Sequence, residues 1–282
     1  MKPRPPTGRR LTNFAVSGLA AVSALLGLLG LAWILSGVLV RGLGALNWSF
    51  FTQLPATPGM PGGGLANALA GTLIITLLAT ILGVPTGLLA GVFLGEFGRQ
   101  SPRLADTVRF AANVLMGVPS IIIGVFVYTL VVIPMGKFSG YAGALALAII
   151  MLPIVARTTE DMLSLIPDTL REAGLALGAP RWRVTLAVVF RAARAGLITG
   201  VCLAVARVSG ETAPLLFTAL NSPYWPGSLG EPIPNLTVTI FNYAMSPYPD
   251  WQQTAWGASL IITLGVLTLT VLARSSLKER QK

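Results

Sequence analysis

Arg207 and Glu211 stand four residues apart in a run of otherwise apolar sequence that extends over 195–220. On a helix that spacing puts both side chains on one face, within reach of each other. Arg207 lies 13 residues beyond Arg194, about 20 Å of helical rise, so if the run crosses a bilayer the guanidinium sits well inside the hydrocarbon. A cation at that depth needs a partner or a watered path. Two chemistries fit. A buried ion pair would fix helix packing while adding little net stability; a guanidinium fork held ready for oxyanions would form an anion station. Ser209 and Thr212 add polar atoms in the same turn, and Pro214 cannot donate to the Gly210 carbonyl, so a kinked or broken helix is expected there. Arg207, Ser209, Glu211 and Thr212 are the candidate substrate path.

Little other chemistry is available. The chain has no histidine and one cysteine, Cys202, which excludes an internal disulfide framework and leaves no set for a zinc site or a His-dependent triad. No metal site or catalytic set is expected. Of 282 residues, 54% are hydrophobic and 11% charged, with a mean hydropathy of +0.74. Soluble domains carry about a quarter charged residues, so this composition calls for a bilayer. The formal charge of +10 comes without a hydrophilic domain able to bind nucleic acid, and reads instead as a record of membrane topology.

The elements that must position Arg207 are found from the gaps between charges. Apolar stretches at 14–40, 65–94, 111–134, 138–156, 195–220 and 254–273 read as six membrane-spanning helices, with Pro85 as a kink in the second. The first is too long for a signal-peptide core, despite the Ala-Val-Ser-Ala step at 21–24. With the N-terminus inside, 17 of the 20 Lys and Arg fall in cytoplasmic segments, and only Arg41 and Lys137 fall outside. That split agrees with the positive-inside rule for a multi-pass protein with both termini cytoplasmic. The outer segment 221–253 is rich in Pro, and its Tyr and Trp residues read as an interfacial aromatic belt. Asn67, Asn113, Ser120 and Tyr128 read as packing residues, and Asp106, Glu160, Asp161 and Asp168 as charge balance among cytoplasmic Arg residues.

Between the fourth and fifth spans the chain spends 39 residues, 157–195, on the inside. Pro167 and Asp168 suit a helix start, Thr169 and Glu172 have capping-box spacing, and Gly178 with Pro180 suits a stop. A short helix outside the bilayer is expected, with Leu170, Ala173, Gly174 and Leu177 on one flat face. Spacing alone leaves it open whether this is an interfacial amphipathic helix or a docking element.

Glu172-Ala173-Gly174, three residues and Gly178 resemble the EAA loop of ABC-importer permeases, with Gly174 where the family pattern has a second Ala. Gly117-Val118-Pro119-Ser120, the stretch from Met151 to Glu160, and the stretch from Arg207 to Phe217 resemble, in the same order, the permease subunits of bacterial phosphate-specific ABC importers. These are type I, MetI-like transmembrane domains of the PstA kind. The resemblance implies an all-α polytopic fold of six transmembrane helices, with a cytoplasmic coupling helix between the fourth and fifth. Residues 1–64 would form the tail, first helix and outer loop, 65–273 the permease core, and 274–282 the second tail. It implies inorganic phosphate as cargo and three partners: a second, PstC-like permease, two copies of a PstB-like ATPase, and a periplasmic PstS-like phosphate-binding protein. Glu172, Ala173, Gly174 and Gly178 would be the ATPase-coupling residues. ATP would be used by the partner, since no G-x-x-x-x-G-K-[ST] loop occurs here; no cofactor is expected on this chain. An importer permease for another oxyanion or small solute is the nearest alternative. An ion-coupled secondary carrier is further off, because paired interrupted halves are absent.

Overall fold

Pro119 governs the most consequential bend in the chain. Proline disfavours helical backbone in the residue before it and lacks the N–H that would continue the ladder; Val118 is accordingly extended, with φ −74° and ψ 130°. The computed structural model describes residues 6–278. In it α4 (Pro102–Gly117) ends at this point and α5 (Ser120–Val127) starts after a turn of 104°. The expected third span, 111–134, is therefore two elements. Its first part belongs to α4, which carries Arg103, Asp106 and Arg109 and exposes Leu104, Phe110 and Met116. Only Ser120–Met135, which continues through a π-turn at Tyr128–Val132 into the short α6 (Ile133–Met135), is apolar throughout.

The other elements follow in chain order. The first helix, α1 (Pro6–Leu43), precedes the short α2 (Trp48–Thr52), which Asn47 caps by accepting from the Phe50 N–H at 2.8 Å. Next come α3 (Ala66–Val92), which runs unbroken through Pro85, and a π-turn at Phe93–Phe97. Beyond α6 lie α7 (Gly140–Ser164), α8 (Asp168–Ala176), α9 (Arg181–Val184), α10 (Phe190–Ser209), α11 (Ala213–Thr218), α12 (Leu236–Ala244) and α13 (Pro249–Lys278). Five helices among the described residues are long and apolar enough to cross a membrane, six if the bent α4–α5 pair counts as one span. Lys2, Arg4, Arg280 and Lys282, which contribute to the basic tally, lie outside the described residues.

At the centre, α3 lies against α7 through a ladder of glycines spaced by four. A Cβ built on Gly83 would lie 3.2 Å from Met151 Cβ, on Gly87 2.7 Å from Val155 Cβ, and on Gly91 2.4 Å from Thr159 Cβ. Lipid tails are as apolar as leucine, so helix association in a bilayer depends on close backbone approach, which small residues at one face permit. Around this pair a core forms from Ile75, Ala79, Leu147, Met151, Val155, Val208, Leu215, Ile233 and Val238. Helix α1 remains outside it, its apolar side chains exposed and its packing directed to α13, where Gly42 meets Leu260.

Two expectations need correction here. The fifth span does not begin at 195 or end at 220. Helix begins at Arg181, passes through a π-turn at Thr185–Val189 and stops at Ser209, while α7 extends to Ser164. Arg157 pairs with Glu160 at 3.2 Å and Asp161 at 3.4 Å along α7, and such i,i+3 and i,i+4 pairs carry a helix past the point where charges begin. The segment between the two long helices is thus 165–180, with helix extending into both ends of the expected 157–195. The outer segment 221–253, moreover, is not simply an interfacial belt. It folds back as α12, with Val238 in the central core and Tyr243 buried and stacked on Trp251 at 4.3 Å, although Tyr224, Trp225, Phe241 and Tyr248 are exposed.

Candidate functional site: the broken helix and the α8 corner

At the C-terminal end of α10 the chain leaves helical geometry: Gly210 is the cap, with φ −95° and ψ 1°. Pro214 then sits in the first turn of α11, as its missing N–H predicts. This break separates the two charges that the spacing had put on one helical face. Arg207 lies in the last turn of α10, exposed at the surface of the chain, while Glu211 follows the cap, half-buried. They form no ion pair among the described residues. The expected pairing is therefore corrected, because an i,i+4 contact requires helix on both sides. Ser209 donates to the Ala206 carbonyl at 2.9 Å, Thr212 is the half-buried N-cap residue of α11, and the Glu211 carbonyl accepts from Thr237 Oγ1 of α12 at 2.9 Å.

The helix that follows the first proline break packs on the second. Gly124 of α5 lies so close to α11 that a Cβ there would be 2.6 Å from Pro214 Cα. Just outside, Asn235 organises the return of the chain. Its amide donates to the Leu220 carbonyl at 2.9 Å, and its carbonyl accepts from the Val238 N–H at 3.0 Å as the cap of α12. That holds Leu220 at φ +56°, a conformation few side-chain-bearing residues adopt. Of the residues weighed as packing, Asn67 is buried and donates to the Ser222 and Tyr224 carbonyls, while Asn113 is exposed.

At the basic end of the bundle, α8 stands where the sequence places a short helix, but its start differs in detail. Pro167 is the N-cap, no side chain caps the helix, and so Thr169 and Glu172 form no capping box. The stop is as expected: Gly178 has φ +78°, the left-handed turn that ends a helix. The flat face is split. Leu170, Ala173 and Leu177 are exposed, whereas Gly174 turns inward, where a Cβ would lie 3.0 Å from Val184 Cγ2. Glu172 is exposed and lines a cavity of about 630 Å³ bounded also by Glu96, Arg99, Arg171, Leu175 and Arg181.

The residues that hold this corner together were not singled out by spacing. Arg171 of α8 donates to Glu96 in the π-turn after α3, from Nη2 at 2.7 Å and Nε at 3.1 Å, and to the Leu163 carbonyl at 2.7 Å. It also reaches the Ile166 carbonyl and Asp168. The hydrogen bond to Glu96, aided by its charge, raises the Arg171 pKa above the usual guanidinium value against the opposing effect of burial. A second knot joins α4 to α7: Arg109 Nε donates to Glu160 at 2.6 Å, and Glu160 also accepts from Arg157. Glu160 is buried, and its role exceeds charge balance. Glu96 carries no motif, and Glu160 ends a family-resembling stretch without a role of its own; for both, the available signal is an acid at the inner end of an apolar span.

Residues 83–278 match the family described as binding-protein-dependent transport system inner membrane component. The chain belongs to that family. Among its relatives, the phosphate transport system permease protein PstA of Yersinia pestis is 49% identical over 266 residues, covering 94% of this chain and 90% of the relative. The protein of the same name from Haemophilus influenzae is 48% identical, covering 94% of each. An inward-facing structure of the MetNI methionine ABC transporter superposes with a TM-score of 0.65 over 76% of this chain and 95% of that one, at 21% identity. The all-α, multi-pass architecture is therefore that of a transport-system inner membrane component, and the family match takes in α8, the broken α10–α11 and both ion-pair knots.

Proposed function

We propose that this chain is the permease subunit of an ATP-driven importer for inorganic phosphate. The observation that carries the reading is the near-full-length similarity to phosphate transport permeases at 48–49% identity. In this reading the chain lies in the inner membrane with both termini cytoplasmic, so that the basic end with α8 faces the cell interior. It forms the path with a second permease. The complex holds two copies of an ATPase, and this chain couples to them through α8: Glu172, Ala173 and Gly178 are on its exposed surface, and Gly174 seats the helix on Val184. It receives phosphate from an external binding protein. The chain is no enzyme itself; ATP is hydrolysed on the ATPase, and no cofactor is carried here.

Arg207 is the chain's contribution to the phosphate path. Its exposure and its lack of an ion pair with Glu211 support this, because a guanidinium already neutralised by a carboxylate would offer less to an incoming anion. Ser209, Glu211 and Thr212 line the same break, where the carboxylate is placed to accept from a protonated phosphate oxygen, which sulfate lacks. The test is uptake of labelled phosphate at low external concentration into proteoliposomes holding both permeases, the ATPase and the binding protein. ATP-dependent uptake that excess sulfate and molybdate leave unchanged is expected; uptake without ATP, or none of phosphate, would overturn the reading.

A further inference from the structure

None of the side chains of α8 is buried, yet the helix holds a defined position against the bundle. Two attachments account for it. Gly174 packs on Val184, at the start of the helix that leads into α10. One turn earlier on the same side of the helix, Arg171, whose side chain is 18% exposed, engages Glu96, which is 8% exposed. Both attachments end on π-turns or beside them: Glu96 lies within Phe93–Phe97, and Val184 immediately precedes Thr185–Val189. Single π-turns inside helices cluster at functional sites.

We propose that Arg171 makes α8 a lever with two outputs, one covalent into α9 and α10 and the other through Glu96 into α3. The chemistry favours a rigid second link. The guanidinium spends its planar fork on both Glu96 oxygens and on the Leu163 and Ile166 carbonyls, and such bidentate charge-assisted bonds fix orientation as well as distance. Leu163 belongs to α7 and Glu96 to the π-turn that continues α3, so one side chain ties α8 to both helices of the central pair. Before Glu96 in the chain the glycine ladder locks α3 to α7. A displacement delivered to α8 therefore moves α3 and α7 together as a body, while α10 is driven through the chain connection by way of α9. Movement of the bundle by α8 rests on the proposed function; the Arg171–Glu96 link is the addition, and Glu96 and Arg171 are positioning residues.

The test compares Arg171→Lys, Arg171→Glu, Glu96→Gln and the double swap Arg171→Glu with Glu96→Arg in the full reconstituted complex. Phosphate moved per ATP hydrolysed is read beside the amount of ATPase that co-purifies. Glu96→Gln and Arg171→Glu are expected to lower that ratio about tenfold or more, in line with loss of a charged hydrogen bond, with ATPase retained and hydrolysis continuing. Arg171→Lys is expected to fall between them and the wild type, and the swap to recover much of the loss. Wild-type coupling in Glu96→Gln, or loss of the ATPase from the complex, would overturn the proposal, the latter by reassigning the pair to docking. A second arm needs no phosphate. With spin labels at Thr169→Cys and Leu89→Cys, an exposed position in the last turn of α3, in a Cys202→Ala background, the distance from α8 to the end of α3 is expected to be the same in nucleotide-free and ATP-trapped complexes. A change between those states would overturn the rigid link. A wild-type complex that takes up no phosphate would instead refute the proposed cargo and leave this arm standing.

Discussion

Arg109 Nε lies 2.6 Å from Glu160 Oε1 and joins α4, the helix before the Pro119 bend, to α7, the helix against which α3 packs. Glu160 accepts from Arg157 through its other oxygen, so one buried carboxylate neutralises two cations. Removing it takes a charged acceptor from both guanidinium groups and leaves them only their exposed partners, Asp106 for Arg109 and Asp161 for Arg157. Glu160→Ala is expected to destabilise the protein by about 1–3 kcal/mol, the cost of losing hydrogen bonds to a buried charge. The check is a lower thermal midpoint in detergent, with Asp106→Ala, which removes only an exposed partner of Arg109, close to wild type. Equal midpoints for the two variants would refute the assignment.

The glycine ladder makes a positional prediction. At Gly91 an added Cβ would sit 2.4 Å from Thr159 Cβ, whereas at Gly265 nothing lies within 4 Å. Gly91→Ala is expected to cost about 1–3 kcal/mol by forcing α3 from α7. Gly265→Ala is expected to be neutral or to stabilise by up to about 1 kcal/mol, because alanine favours helix. Thermal unfolding of both variants, scored by tryptophan fluorescence, separates steric fit from helix propensity.

Arg207 and Glu211 form no ion pair with each other, so their substitutions should not mimic each other. Arg207→Gln is expected to lower phosphate uptake about tenfold to a hundredfold, the range for losing one charged hydrogen bond to the anion. Glu211→Gln keeps the shape and is expected to have a smaller effect on rate while weakening discrimination against sulfate. Uptake assays at matched expression, with and without competing sulfate, measure both. Wild-type transport in Arg207→Gln would remove this residue from the path.

Asn235 bridges α11 and α12 from a buried position. Asn235→Ala removes a helix cap and the partner of the Leu220 carbonyl, and is expected to cost about 2 kcal/mol. Limited proteolysis should then cut within 221–235 faster than in wild type.

Gly178 ends α8 at positive φ. Gly178→Ala strains that turn by about 1 kcal/mol, and is expected to reduce ATPase co-purification without altering the thermal midpoint of the bundle by more than a few degrees.

Residue chemistry alone decided that this chain lives in a bilayer, roughly where it crosses, and that a short helix stands between Pro167 and Gly178. A charge in hydrocarbon and a proline in a helix carry local costs that no distant contact removes. The stop at Gly178 was legible for the same reason, since a left-handed turn needs glycine at one position whatever surrounds it. Tertiary structure decided what those residues touch. Spacing put Arg207 beside Glu211, but Gly210 ends the helix between them. Glu160 read as charge balance and Glu96 passed without notice, because a carboxylate acquires its meaning from a partner that arrives from another helix: Arg109 lies 51 residues from Glu160, and Arg171 lies 75 from Glu96. Long-range pairing depends on how helices pack, and packing here follows from glycine faces whose partners appear only once the helices are assembled.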